Sequence, residues 1–263
     1  VNLYAYGSDT PRVTIVIPAR NEARNLEVVL PDLPPVHEVI LVDGHSVDDT
    51  IEVARRTLPG IRVIRQVRRG KGNALAAGFA EATGDIVVMF DADGSADPAE
   101  IPDFVRTLVL GADVAKGSRF TPGGGSADIT RFRRAGNAFL NTLTNVLLGT
   151  RYSDLCYGYN AFWRQHVEAL DLPDPTVPGP QRWGDGFEIE TVLNCRFATL
   201  GLRVREVPSI ERERIHGVSN LNAVRDGLRV LRTVWDERRR ASRVPQRGHL
   251  VADLGPDSLE SAA

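Results

Sequence analysis

Short runs of β-branched and aliphatic residues alternate along the chain with longer stretches in which apolar residues recur every three or four positions. RVTIVIPAR (12–20), EVILVDG (38–44), IRVIRQV (61–67) and DIVVMFDAD (85–93) each predict a buried strand. Between them the period lengthens to that of a helix. The first helix opens at Asn21 with Leu26, Val29 and Leu30 on one face. The second is DTIEVARRTL, which Ser46 or Asp48 can cap. The third, GKGNALAAGFAEATG, is rich in small residues, and the fourth is PAEIPDFVRTLVLG. Strands that read as continuous apolar runs fit a sheet covered on both faces. Their alternation with helices predicts an α/β protein with a mostly parallel central sheet flanked by helices.

Beyond residue 110 the pattern loosens. DVAKGSRF (113–120) predicts another strand and TPGGGSAD a glycine turn. Residues 131–149 start basic and continue as an amphipathic helix carrying Phe139, Leu140, Leu143, Val146 and Leu147, a candidate surface for a dimer or a membrane. SDLCYGYNAFWR is strand-like and residues 171–182 form a Pro-rich loop. GFEIETVLNCRFATLG follows as a helix and LRVREVPSIE as a strand. Three units are expected: a folded domain over 1–220, an amphipathic helix over 221–240 and a disordered tail over 241–263. In the last helix Leu221, Val224, Leu228, Leu231 and Trp235 share one side and Arg225, Arg229 and Arg232 another. Such a helix either packs on its own domain or lies in a membrane interface.

Composition changes this picture little. The chain has 263 residues, 42% hydrophobic and 25% charged, with a formal charge of -2, which gives no support to bulk nucleic-acid binding. Two distant cysteines, Cys156 and Cys195, argue against a zinc ribbon or a disulfide scaffold. No signal-peptide pattern or membrane-length apolar run is evident, so a cytoplasmic protein is expected, either free or peripheral at the membrane's cytoplasmic face.

The candidate chemistry lies at the strand ends. Pro18-Ala19-Arg20-Asn21-Glu22, Asp43-Gly44 and Asp91-Ala92-Asp93 all leave the same edge of the expected sheet, where open α/β sheets bind ligands. Two carboxylates one residue apart can share a hard divalent cation such as Mg²⁺ or Mn²⁺, or can simply cap the next helix. Lysine occurs only twice, at Lys71 and Lys116. Gly70-Lys71-Gly72 at a helix start offers amide N–H groups and a point cation to an anion. It is not a Walker A loop, and no GxGxxG follows the first strand, which excludes the usual nicotinamide fingerprint. Together these features point to a diphosphate ligand.

In order and spacing, VTIVIPARNE, ILVDGHSVDDT, RGKGNALAAGF, DADGSADP and KGSRF resemble family 2 glycosyltransferases of the GT-A fold. Within that family the resemblance is to the dolichyl- and polyprenyl-phosphate mannose synthases, and it covers residues 12–221. It implies a metal-dependent, inverting transfer of a hexose from a nucleotide sugar (GDP-mannose or UDP-glucose) to a polyprenyl phosphate. It further implies that Pro18, Arg20, Glu22, Asp43, Lys71 and Gly72 line the nucleotide pocket, and that Asp91 and Asp93 bind Mg²⁺ or Mn²⁺. Arg212, Arg214 and Ser219 would close over the diphosphate. Arg119 would meet the acceptor phosphate with Arg131, Arg133 or Arg134, and Tyr159 would lie on the acceptor side. An arginine those synthases often carry is replaced at Asn160, and a lysine at Asn220.

A phosphate acceptor is already anionic and needs no base; a hydroxyl acceptor needs a carboxylate. Asp185, Glu188 and Glu190 are the candidates, with Asp154 behind them. Three functions stay open: transfer to a polyprenyl phosphate, the same donor chemistry on a soluble hydroxyl or peptide, and a non-catalytic sugar-nucleotide-binding subunit.

Overall fold

The computed structural model describes residues 10–217 and 223–242. Ser219, Asn220 and nearly all of the expected tail lie outside them. The central sheet has seven strands: β1 (Val13–Ala19), β2 (Glu38–Asp43), β3 (Arg62–Arg65), β4 (Ile86–Met89), β5 (Val114–Ser118), and two more from the looser second half. In space the order is β3-β2-β1-β4, then residues 160–163, β5 and residues 204–208. All neighbours run parallel except the 160–163 strand, which lies antiparallel between β4 and β5. The sheet is therefore mostly parallel, as the apolar runs require. A two-stranded ribbon, β6 (Gly125–Ser126), pairs the glycine turn with residues 210–211, a contact that no sequence pattern announced. The antiparallel strand is β7 (Asn160–Trp163); β8 (Val204–Pro208) and β9 (Ile210–Glu211) follow.

Helices cover both faces. α1 (Ala23–Val29), α2 (Thr50–Thr57) and α4 (Ile101–Val109) bury Leu26, Val29, Val53, Ile101, Phe104 and Val105 against one face of β1, β2 and β4. On the other face α3 (Lys71–Glu81) and α6 (Ile189–Thr199) pack Leu75, Phe79, Ile189, Val192 and Phe197 over Val16, Ile40 and Val87. Each fully buried side chain of this size stabilises the fold by about 1.5–3 kcal/mol. β1 and β4 are adjacent, yet the chain leaves β1 toward β2 on one side and returns through α3 from the other. The strand order reverses there, which opens a crevice beyond their carboxyl ends.

The remaining helices, α5 (Arg131–Leu148) and α7 (Ala223–Ala241), form a third layer against α6. Leu140, Cys195, Val230 and Val234 make their shared core. Here the structure divides the expected apolar stripes between the core and the surface. α5 buries Asn137, Leu140, Asn141 and Thr144, whereas Phe132, Phe139 and Val146 are 67%, 61% and 77% exposed. Inside, Asn141 donates to the Ser153 carbonyl and accepts from Leu155 N at 2.6 Å, and Asn145 donates to the Tyr152 carbonyl at 2.8 Å. These amides satisfy the loop backbone that an apolar face would have left unpaired. α7 behaves likewise: Val230, Thr233, Val234 and Glu237 are buried, while Leu228 and Trp235 point outward.

Candidate active site

The loops after β1, β4 and β5 converge with the start of α3 around a cavity of about 960 Å³, a volume typical of ligand sites. Pro18, Arg20 and Glu22 line it from β1, Gly44 from β2, and Asp91 and Asp93 from β4. Gln66, Arg69 and Gly70 close the side toward α3. Across from them stand Glu190 of α6, Arg119 after β5, and Arg212 and Arg214 after β9. Strand ends at one edge of a parallel sheet thus do what the sequence suggested: they gather polar groups from positions as far apart as Glu22 and Arg214, a separation of 192 residues.

The charged centre is built from six residues. The Lys71 ammonium lies 2.7 Å from Asp91 and 2.8 Å from Glu190. Burial works against that ammonium, but the two carboxylates outweigh it and hold Lys71 well above the ordinary lysine value. Burial raises Glu190 above the ordinary carboxylate value, and repulsion from Asp91 adds to it against the pull of Lys71. The Arg214 guanidinium bridges Glu22 at 2.9 Å and Asp93 at 3.0 Å. Two cations are spread over four carboxylates, so the strand-end cluster keeps an excess of negative charge.

That excess, on hard oxygen donors open to the cavity, fits a divalent cation at Asp91 and Asp93. Among the described residues no cluster of three or more His, Cys, Asp or Glu side chains could hold a metal alone. Asp91 and Asp93 would hold a hard ion by two carboxylates, and an ion so held would have room for phosphate oxygens and water.

Lys71 owes its place to a brace behind it. Gly70 has φ +120°, in the region only glycine enters freely, and a Cβ there would meet the Asp185 carbonyl. A Cβ on Gly72 would collide with the Gly184 carbonyl. The Asp185 carbonyl accepts from Gly72 N at 2.7 Å and from Asn73 N at 3.2 Å. The Asp185 carboxylate accepts from Arg68 through two bonds of 2.7 and 2.8 Å and from Arg182 N at 2.6 Å. Arg68 also donates to the carbonyls of Asp174 and Val177, each at 2.7 Å, and so ties down the Pro-rich loop.

This placement corrects several expectations about the acids. Asp185 is 1% exposed and outside the cavity walls; its carboxylate is consumed by Arg68. Glu188 is also outside, its Oε1 accepting from Gly184 N and Gly186 N, with Arg229 3.6 Å from Oε2. Asp154 is chelated by Arg119 at 2.7 and 2.9 Å. Of the four candidate bases, only Glu190 faces the cavity. Arg119 does line it, but its guanidinium is also bound to Glu211 at 2.9 Å and packed 4.8 Å from the Tyr157 ring.

On the acceptor side the structure separates residues the sequence had grouped. Arg133 lines the cavity and donates to Asp128 at 2.8 Å. Arg131 and Arg134 start the same helix exposed and outside it, Arg134 lying over Phe120. Tyr159 is a core aromatic: it is 2% exposed, stacked on Phe104 at 4.4 Å, and its hydroxyl donates to the Asp97 carbonyl. Asn160 is fully buried on β7, so its departure from the family pattern falls within the sheet. Asp43 sits buried under the cavity floor, its Oδ1 accepting from Ser46 N and Arg65 3.5 Å from its Oδ2. Lys71 and Arg212 line the cavity, Arg212 paired to Asp97, and Gly72 lies behind Lys71 outside the lining.

Asn137 escaped the sequence reading. It lines the cavity, is 5% exposed, and neither of its polar atoms bonds another protein group. A buried amide without a partner is costly unless a ligand or water meets it. The one signal in the chain was that asparagine recurs every fourth residue at 137, 141 and 145, which sets a row of amides along one side of the helix.

A mostly parallel sheet covered by helices, with an acidic pair at the end of its central strand and a basic cluster facing it, defines a GT-A glycosyltransferase. The model for "Glycosyl transferase family 2" matches residues 14–171, and the chain belongs to that family. It is 32% identical to an undecaprenyl-phosphate mannosyltransferase of Micrococcus luteus over 80% of this chain and 88% of that protein. It is also 32% identical to a polyprenol monophosphomannose synthase of Mycolicibacterium smegmatis over 81% of this chain and 82% of that one. Among solved structures it resembles glucosyl-3-phosphoglycerate synthase of Mycobacterium tuberculosis in complex with phosphoglyceric acid. That match has a TM-score of 0.66 at 26% identity, covering 86% of this chain and 80% of the other. A second structure of that synthase, with Mn²⁺, UDP and glucosyl-3-phosphoglycerate, matches with a TM-score of 0.64.

Proposed function

We propose that this glycosyltransferase moves a hexose from a nucleotide-diphosphate sugar, GDP-mannose or UDP-glucose, to a polyprenyl phosphate at the cytoplasmic face of a membrane. One observation carries the choice of acceptor. Three of the four carboxylates that could deprotonate a hydroxyl are locked away from the cavity by Arg68, Arg119 or backbone amides, and the fourth, Glu190, is paired to Lys71. A site without a free base suits an acceptor that arrives as an anion. The names of two 32%-identical relatives support the same acceptor class.

In this reading the phosphate oxygen of the acceptor attacks the anomeric carbon while the bond from that carbon to the diphosphate breaks on the opposite face. The configuration inverts, the electron pair leaves with the nucleoside diphosphate, and no proton moves. Pro18, Arg20 and Gly44 hold the nucleoside, and Lys71 meets the diphosphate beside Asp91. Arg214 and Arg212 close over it, and Ser219 belongs to the same segment. A Mg²⁺ or Mn²⁺ held by Asp91 and Asp93, when bound, supplies further neutralisation of the charge on the leaving group; Mn²⁺ accompanies UDP in the related synthase. Arg133 faces the incoming phosphate, with Asn137 beyond it, and Arg119, held by Asp154 and Glu211, backs the wall there. Holding both reactants in line inside one cavity supplies much of the rate.

A second reading keeps the donor chemistry and replaces the lipid with a soluble hydroxyl compound. Glu190 favours it, because a buried acid of raised proton affinity inside the cavity could take the proton. The deciding assay incubates the protein with Mg²⁺ or Mn²⁺, labelled GDP-mannose or UDP-glucose, and a short-chain polyprenyl phosphate. Metal-dependent label in the organic phase is the expected result. Donor hydrolysis with an unlabelled lipid would remove the first reading in favour of the second.

A further inference from the structure

We propose that the outward faces of α5 and α7 together form a docking surface for an anionic lipid bilayer. Each helix presents to solvent a stripe that includes large apolar groups. On α5, Phe132, Ala135, Phe139, Thr142 and Val146 fall at spacings of three and four and are all exposed. On α7, Arg225, Leu228, Arg232, Trp235 and Arg239 follow the same rule, so the exposed stripe alternates arginine with a large apolar group. The Arg239 guanidinium lies 5.4 Å from the Trp235 ring. Phe132 and Phe139 of one helix and Leu228 of the other line the cavity rim, so the two stripes meet at its mouth.

Water is a poor partner for this surface. Five side chains as large as Phe132, Phe139, Val146, Leu228 and Trp235, each more than half exposed along two adjacent helices, form the kind of patch that marks an interaction site. Their charged neighbours indicate which one. Residues 131–149 contain no acid, and three arginines stand at positions 131, 133 and 134, where the helix dipole disfavours cations. Arginines flanking an apolar stripe can reach phosphate headgroups while the apolar groups enter the acyl boundary. A second copy of the chain fits less well: a two-fold contact brings two arginine-rich patches together, with a like-charge repulsion that a phosphate surface does not impose. Docked this way, the cavity mouth opens onto the bilayer, where a polyprenyl phosphate would lie. The role of the surface thus rests on the acceptor reading above, but its existence does not.

The test is co-sedimentation of the full chain with vesicles of phosphatidylglycerol and phosphatidylcholine, or of phosphatidylcholine alone, without donor or acceptor. The wild-type chain is expected to pellet with the acidic vesicles and to be released by salt. V146E with W235E, neither of which lines the cavity, should weaken that partition at least about tenfold. R232E with R239E should abolish the preference for acidic over neutral vesicles, each arginine near such a surface contributing roughly a fivefold effect. L110E, which charges an exposed leucine at the end of α4, should change nothing; melting curves of all four proteins control for folding. The proposal is overturned if the wild type stays in the supernatant, or if L110E weakens binding as much as V146E with W235E. It is equally overturned if light scattering shows a dimer that V146E with W235E dissociates. Binding to acidic vesicles by a chain that never labels polyprenyl phosphate would sink the acceptor reading and support the surface.

Discussion

Two sets of ion pairs meet around one cavity, and they are built differently. Behind the wall, Arg68–Asp185 and Arg119–Asp154 are two-bond pairs, buried on both sides and matched one cation to one acid, with Glu211 added to Arg119. At the open centre, Lys71 and Arg214 each serve two carboxylates, Asp91 stays about a third exposed, and negative charge remains in excess. The first arrangement is closed: both oxygens of Asp185 and of Asp154 already accept from an arginine, and a ligand has little to gain there. The second is exchangeable, since its single contacts can be traded for a metal and a diphosphate. Stoichiometry and exposure, more than residue type, separate a brace from a binding site.

The sharpest break of this comparison is at the strand end. D91A and D93A should each lower turnover about a thousandfold, roughly 4 kcal/mol of transition-state stabilisation, while thermal melts stay near wild type because both carboxylates are reachable by water. A large fall in melting temperature would show that the pair is structural. D185A should do the opposite: removing one partner of a buried pair leaves Arg68 uncompensated and costs about 3–5 kcal/mol in denaturant titrations. R68M with D185L should recover much of that stability. Full stability with lost turnover in D185A would return Asp185 to the list of acid–base groups.

How much of this was legible beforehand follows the same division. The order of elements, the parallel sheet and the shared edge of acids could be read because parallel strands buried on both faces leave unbroken apolar runs. Such strands must also end at one rim. The braces could not be read, because Arg68 and Asp185 lie 117 positions apart and nothing local distinguishes a chelated carboxylate from a free one. Asp185 and Glu188 therefore looked as eligible as Glu190. The stripes of α5 and α7 were legible only in part, for another reason. Periodicity locates an apolar stripe but does not say which way it points, and on α5 the amides of Asn141 and Asn145 were needed inside to satisfy the 152–155 backbone. Tyr159 was misplaced because an aromatic beside a polar motif is as ready to stack on Phe104 as to meet a ligand.

Glu190 sharpens the comparison from inside the exchangeable set. With a phosphate acceptor, E190Q should lower kcat by no more than about tenfold, the loss expected from retuning Lys71. A base for a hydroxyl acceptor would cost about 10²–10⁴. Single-turnover rates with saturating donor separate the two.

Lys116 belongs to neither set, and its expected effect is the smallest. It lies on β5, fully buried, with a carbonyl contact to Gly117 at 3.3 Å. Among the described residues it has no carboxylate within ion-pair distance. Burial pulls its ammonium below the ordinary lysine value, and the more distant Asp154 and Glu206 do not restore it. The unfolded chain therefore binds this proton more tightly than the folded one. Between the lowered folded value and the ordinary one, raising the pH removes a proton that opposes folding, so this group's contribution to stability rises with pH. K116M should then stabilise the protein by about 1–3 kcal/mol near neutral pH, in line with buried charges replaced by apolar groups of similar size. The advantage should shrink toward alkaline pH. Denaturant titrations across that range check both the sign and the trend. A K116M protein less stable than wild type at neutral pH would mean that the distant carboxylates hold Lys116 as a third brace, and the boundary between closed and open charge would have to be drawn one strand further in.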